Sequence, residues 1–129
     1  MKNFDVVLGK KVNNVLFGTD RDAVRKVFGK KFNEIKKNIF SKNTMDAYDD
    51  FHIYYSKDDT FEAIEIFGKF TVKIEGVKVF PGSVETIKQV ITDLEVDGDG
   101  YLSRENSVGI TTEGDEIKSI LFGELGYYD

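Results

Sequence analysis

Residues 51–80 read FHIYYSKDDTFEAIEIFGKFTVKIEGVKVF, and their periodicity decides the fold class. Phe51, Ile53 and Tyr55 alternate with His52 and Tyr54, the two-residue period of a strand with one buried face. Ser56-Lys57-Asp58-Asp59-Thr60 has turn chemistry, and Phe61 to Phe67 returns as the second strand of a hairpin. Phe70, Val72 and Ile74 then alternate with Thr71, Lys73 and Glu75, and Glu75-Gly76 turns the chain into Val77 to Phe80. The stretch predicts a four-strand meander.

Towards the C-terminus, Ser83 caps a predicted helix with Val84, Ile87, Val90, Ile91 and Leu94 on one side. Beyond Asp97-Gly98-Asp99-Gly100, strands near Ser107 to Thr112 and Glu116 to Phe122 flank the turn Glu113-Gly114-Asp115. Towards the N-terminus, Thr19 reads as the cap of a helix whose apolar stripe is Ala23, Val24, Val27 and Phe28, stopped by Gly29. Phe32, Ile35, Ile39 and Phe40 recur at helical spacing, as a short helix or as a loop packed by its aromatics. Val6 to Leu8 and Val12 to Phe17, separated by Gly9-Lys10-Lys11, read as a small opening hairpin or as an extended entry. The fold expected is α+β: a mainly antiparallel sheet, formed by a central β-meander plus a C-terminal hairpin, with two or three helices packed on it as one domain over 1–129. No internal repeat is visible in the residues.

Composition narrows the function. Of 129 residues, 40% are hydrophobic and 32% charged, which suits a folded domain with one core, and eleven Phe with six Tyr and no Trp make that core aromatic. The absence of cysteine excludes disulfides, thiolate metal sites and a cysteine nucleophile. The first apolar run, Val6 to Leu8, is too short for a signal-peptide core or a membrane span, so a cytoplasmic protein without membrane contact is expected. Residues 1–45 carry eleven basic and four acidic side chains, whereas residues 46–129 carry seven and nineteen, within a net charge of −5. If the fold gathers the acidic residues on one face, that face steers encounters with basic partners; a packed fold that interleaves the charges does not.

Residues 95–106 resemble an EF-hand calcium loop, with Asp97, Asp99 and Ser103 as candidate ligands. Glu95 replaces the usual first Asp, Asn106 replaces the bidentate Glu, and a strand follows where a helix is required, so a Gly-rich acidic turn is the preferred reading. His52, the one histidine, shares a wet face with Tyr54 and has no orienting carboxylate visible in the sequence. Glu62 and Glu65 point to opposite faces if their strand is regular, which separates them as an acid and base pair. Lys30, Lys31, Lys36, Lys37 and Lys42, interleaved with Phe32 and Phe40, read as a solvated face over buried rings; nucleic-acid binding is disfavoured by the net acidity.

In its size, acidity, missing cysteines and lack of a catalytic constellation, the chain resembles the small immunity or inhibitor proteins that bacteria pair with toxins. The resemblance implies a non-enzymatic, cofactor-free inhibitor that docks 1:1 on a protein with a basic surface, such as a nuclease toxin. The candidate contact residues are Asp46, Asp49, Asp50, Asp58 and Asp59 around the first hairpin, with Tyr48, Tyr54 and Tyr55 as aromatic anchors. A phage-encoded inhibitor of a bacterial defence system and a calcium-binding module using residues 95–106 are the alternatives.

Overall fold

The computed structural model describes residues 3–36 and 38–129; Lys37 of the lysine-rich stretch lies outside them. In chain order the elements are β1 (Asn3–Val7), β2 (Lys11–Val12), β3 (Val15–Leu16), α1 (Arg21–Phe28), β4 (Asn33–Ile35), β5 (Met45–Ala47), β6 (Phe51–Tyr55), β7 (Phe61–Ile66), β8 (Thr71–Ile74) and β9 (Val77–Phe80). They continue with α2 (Val84–Val90), β10 (Glu95–Asp97), β11 (Gly100–Ser103), β12 (Val108–Glu113) and β13 (Glu116–Gly123). The strands form a five-stranded sheet, β3-β2-β1-β8-β9, and an eight-stranded sheet, β10-β11-β12-β13-β7-β6-β5-β4. Every pairing is antiparallel except β1 with β8.

This architecture overturns the expected α+β class, because the chain is 46% strand and only 12% helical. The helix expected over residues 84–94 ends at Val90, and Ile91 is extended yet buried. Val84, Thr86, Ile87, Val90 and Ile91 are β-branched, so the segment is a weak helix former. No helix forms among the described residues of 32–40 either. Phe32 is drawn beneath the Arg25 guanidinium, and Glu34 bonds Arg25 and Thr44, so tertiary contacts override a weak helical period. Asp20, not Thr19, caps α1: its carboxylate accepts from Ala23 N (3.0 Å), while the Thr19 hydroxyl donates to Leu16 O (2.6 Å).

Both predicted hairpins of residues 51–80 form, yet they lie in different sheets. The chain turns away at Gly68, where Phe67 N and Gly68 N both donate to Asp50 O and the Asp50 side chain leaves no room for a β-carbon. The free edge of β7 is taken by β13, with Ile66 opposite Ile120, and β8 instead runs alongside β1, with Phe4 opposite Val72.

The hydrogen-bond pattern reveals a repeat that the residues conceal. The large sheet is a palindrome of two four-stranded meanders, and each is preceded by small-sheet strands and one helix. Copy one is β1 to β7 and copy two is β8 to β13. The helix caps Asp20 and Ser83 form equivalent bridges to Thr60 and Glu116. Arg21 N donates to Asp59 O as Val84 N does to Asp115 O, and Phe61 N to Thr19 O as Ile117 N does to Gly82 O. Each final hairpin also carries a one-residue bulge, at Glu62 in copy one and Lys118 in copy two. At the junction Glu65 stands directly opposite its own counterpart, Leu121.

Side chains of both sheets and both helices meet in one apolar cluster. Its aromatic part belongs mainly to copy one: Phe4 meets Phe51 and Phe70 edge-on at 5.2 and 4.9 Å, and Tyr48 stacks on Phe51 at 4.5 Å. Copy two contributes chiefly aliphatic groups, among them Val108, Ile110, Ile117 and Ile120.

Candidate functional site

Ile53, Ile64, Ile110, Ile120 and Phe122 turn one face of the large sheet into the core. The register places His52, Tyr54, Glu65, Thr111, Ser119 and Leu121 on the opposite, outer face. The C-terminal turn lies across part of that face. Tyr127 packs over Gly123 and the Tyr128 hydroxyl sits directly above Gly109, with Arg104 holding the Tyr128 carbonyl at 2.9 Å and Glu124 N bonded to Glu62 O.

Glu65 is the centre of this surface. It accepts from the Tyr54 hydroxyl (3.2 Å) and from Ser119 (3.5 Å), which pairs with Thr111 at 2.6 Å. Two open troughs flank it. One of about 500 Å³ is lined by His52, Glu65, Phe67, Thr111, Lys118 and Ser119; the other, of about 400 Å³, lies beneath Tyr128. Burial raises the Tyr54 pKa, with the charge and hydrogen bond of Glu65 adding to it. Burial likewise pushes Tyr128 up to about 12, helped by Tyr127, Glu65 and Asp97, so these phenols remain donors at neutral pH.

Glu62 and Glu65 both reach the surroundings of Tyr54, contrary to expectation, because the strand between them is irregular. The bulge skips Glu62 between Tyr54–Ala63 and Tyr55–Phe61 pairing; Glu62 lines a cavity with Tyr54 and Tyr127, whereas Glu65 accepts from the Tyr54 hydroxyl. Burial raises the Tyr127 pKa, with the charges of Glu62 and Glu65 adding to it. Glu62 itself is held above the ordinary carboxylate range by burial and by Glu124, partly offset by Lys42.

Most of the acids and tyrosines singled out from the sequence lie elsewhere. Asp46 is fully buried and takes a two-pronged bond from Arg25, Nε to Oδ2 at 2.8 Å and Nη2 to Oδ1 at 2.7 Å, and a third from the Tyr55 hydroxyl at 2.9 Å. Arg21 lies over the Tyr55 ring at 3.9 Å, and the buried Tyr48 donates to Gly29 O at 2.7 Å. These residues seat α1 on the sheet. The hydrogen bonds that Arg25 donates to Asp46 are the main reason its pKa is raised, and burial pushes Tyr48 up to about 12. Asp49 and Asp50 precede β6 whereas Asp58 and Asp59 follow it, so the five-residue strand keeps the pairs roughly 17 Å apart. Asp59 also pairs with Arg21 at 3.3 Å. Tyr54 does reach the outer face.

Residues 95–103 form the tight β10–β11 hairpin, with Asp97 opposite Gly100. The buried Ser103 hydroxyl donates to Asp93 at 2.7 Å and accepts from Asn106 N, so it is already engaged. Among the described residues no group of three or more His, Asp or Glu side chains is placed to hold a metal.

The sequence reading missed Ile39 and Phe40. Ser41 N donates to Asn38 O (3.2 Å) and Phe40 N to Asn38 Oδ1 (2.8 Å), a turn that sets the two apolar residues at its corners, 84% and 85% exposed. Phe40 is therefore not a buried ring beneath lysines, although Phe32, under Arg25 at 4.4 Å, is half-buried. Flanking Asn38 and Ser41 were the available signal for a turn. The loop borders the outer face, since Ser41 and Lys42 line a small cavity of about 220 Å³ with Tyr54, Glu62 and Tyr127. Among the described residues no helix is long and apolar enough to cross a membrane. No protein-family model matches the chain, and no curated protein or solved structure is found to be similar to it.

Proposed function

We propose that the chain is a cytoplasmic protein-docking module of the immunity or inhibitor kind, which binds a toxin or other basic partner 1:1 through the outer face of its large sheet. The observation that carries this reading is the pair Ile39 and Phe40, displayed at the corners of a hydrogen-bonded turn beside a sheet face bearing Tyr54, Tyr127 and Tyr128. Apolar side chains at exposed turn corners add nothing to the core, whereas aromatic anchors within a polar rim are what docking surfaces use. Glu65 on that face and Glu62 in the cavity bordering it, within a net charge of −5, favour a basic partner and fast, salt-sensitive association.

The test is affinity capture from native lysate with the unmodified chain, an Ile39→Ser/Phe40→Ser chain, a Tyr54→Ala/Tyr127→Ala chain and an Asp49→Asn/Asp58→Asn chain. A single basic protein, bound stoichiometrically and lost with the first two variants but kept by the third, is the expected result. Equal capture by all four chains removes the outer face as the docking surface.

A further inference from the structure

The large sheet is open at both ends. β4 and β10 each have a strand on one side only, so each presents a row of backbone N–H and C=O groups with no ladder partner among the described residues. Asn33, Glu34 and Ile35 of β4 and Glu95, Val96 and Asp97 of β10 are all exposed, Val96 to 77%. As the first strands of the two meanders, β4 and β10 occupy equivalent positions, yet their charges are opposite. Lys31 and Lys36 are exposed on either side of β4, while its one acid, Glu34, is bonded to Arg25. β10 carries Glu95 and Asp97 with an exposed Asp99 just beyond, and none of these three forms an ion pair among the described residues.

Edges of one sign repel their own kind, so pairing β4 with β4, or β10 with β10, across a two-fold axis sets like charges together. Pairing β4 with β10 sets opposite charges together. Strand direction agrees with charge. Neighbouring strands are antiparallel along the whole large sheet, so the first and last of its eight strands run in opposite directions. A second copy placed end to end therefore brings its β10 antiparallel to β4, with the core faces of both sheets on the same side. Glu34 and Val96 both lie in line with inward residues, Ile53 and Ile110, so setting them opposite each other keeps the two faces in step. Asn33 then faces Asp97, and Lys31 comes near Asp99. We propose that the chain associates head to tail with further copies of itself, the basic β4 edge of one copy adding to the acidic β10 edge of the next. Each edge is only three residues long, so the contact is weak, and salt weakens it further. A heterologous contact leaves one edge free at each end and so grows beyond a dimer. The outer face stays uncovered in every copy, and the inference does not depend on what that face binds.

The experiment is sedimentation equilibrium of the full chain over a concentration series at low and high salt, with amide NMR on the same samples. The weight-average mass of the unmodified chain should rise past twice that of the monomer and fall back towards the monomer in salt, while the amides of residues 33–35 and 95–97 shift together. Lys31→Glu/Lys36→Glu makes both edges acidic and Glu95→Lys/Asp97→Lys makes both basic, so each variant alone should stay monomeric. Mixed in equal amounts they should associate again, because every edge then meets its complement. Both variants remain net acidic, so bulk attraction does not account for that recovery. All four positions are exposed, and a spectrum otherwise like that of the unmodified chain verifies each fold. A monomer at every concentration, a mass that stops at the dimer, association of either variant alone, no recovery in the mixture, or shifts away from the two edges overturn the proposal.

Discussion

In copy one the helix meets the sheet through charge: Arg25 forks onto buried Asp46, and Arg21 lies over Tyr55. At the equivalent positions of copy two, Lys88 lies over the Tyr101 ring at 4.8 Å, and a buried Val84 stands where Arg21 does. The bonds from Arg21 N and Phe61 N and the bridge at the helix cap nevertheless recur at Val84, Ile117 and Ser83, although the bond from Gly18 N to Phe61 O does not, since Pro81 stands at the equivalent position. Strand pairing and the inward apolar pattern therefore suffice to define the repeat, and the helix seam is free to differ in chemistry. The outer faces diverge further, with side chains at His52 and Met45 in one copy and a glycine-floored trough in the other.

The largest expected effect tests the unequal cores. Phe51→Ala should cost about 4 kcal/mol, and Val108→Ala at the equivalent site about 2 kcal/mol, measured by urea unfolding. Equal losses would mean that the aromatic cluster gives copy one no special weight. Asp46→Ala follows at about 3 kcal/mol, because it strands the Arg25 guanidinium and the Tyr55 hydroxyl. Replacing both partners, Arg25→Met with Asp46→Leu, should cost less than that single change. Lys88→Ala in copy two should cost under about 1 kcal/mol, and a loss matching Asp46→Ala would break the contrast between the seams.

Next come the two bulge residues. The folded-state pKa of Glu62 is raised, so its ionisation opposes folding above that pKa and ceases to do so below the unfolded value. Glu62→Gln should therefore raise the urea midpoint at pH 7, with a gain that shrinks as pH falls through the carboxylate range; Lys118→Gln should show no such dependence. The smallest effect is expected for Ile39→Ser/Phe40→Ser, which should change stability by under about 0.5 kcal/mol. A larger loss would assign these two residues to folding instead of docking.

Alternation, together with turn chemistry, identified β6, β7, β12 and β13, because a face that packs on a core imprints a period of two, but not the shorter β4, β5, β10 and β11 of the same sheet. It made His52 and Tyr54 neighbours on the wet face, as they are. It did not reveal the Glu62 bulge, so the opposite-face relation to Glu65 inferred from a regular strand does not hold, and Glu62 lines a cavity with Tyr54 and Tyr127. Asp46 was illegible for a related reason. A carboxylate in a polar run looks exposed unless the arginine that neutralises it, twenty-one residues earlier, is known to fold over it. Ile39 and Phe40 matched a helical stripe only because four apolar residues recurred at that spacing, with no packing partner to make a helix hold.

What the sequence by itself determined was local: that the segments around 51–55, 61–66, 71–74, 77–80, 108–113 and 116–123 extend, that turns fall at 56–60, 75–76 and 113–115, and that Gly29 ends a helix, its φ being 97°. Those properties follow from side-chain shape, backbone freedom and burial within a few residues. Tertiary structure alone decided that residues 51–80 divide between two sheets, that β13 claims the edge of β7, and that two dissimilar segments repeat one pattern. Strand edges offer nearly the same backbone hydrogen bonds to any neighbour, so the choice among them rests on long-range packing that no local stretch encodes.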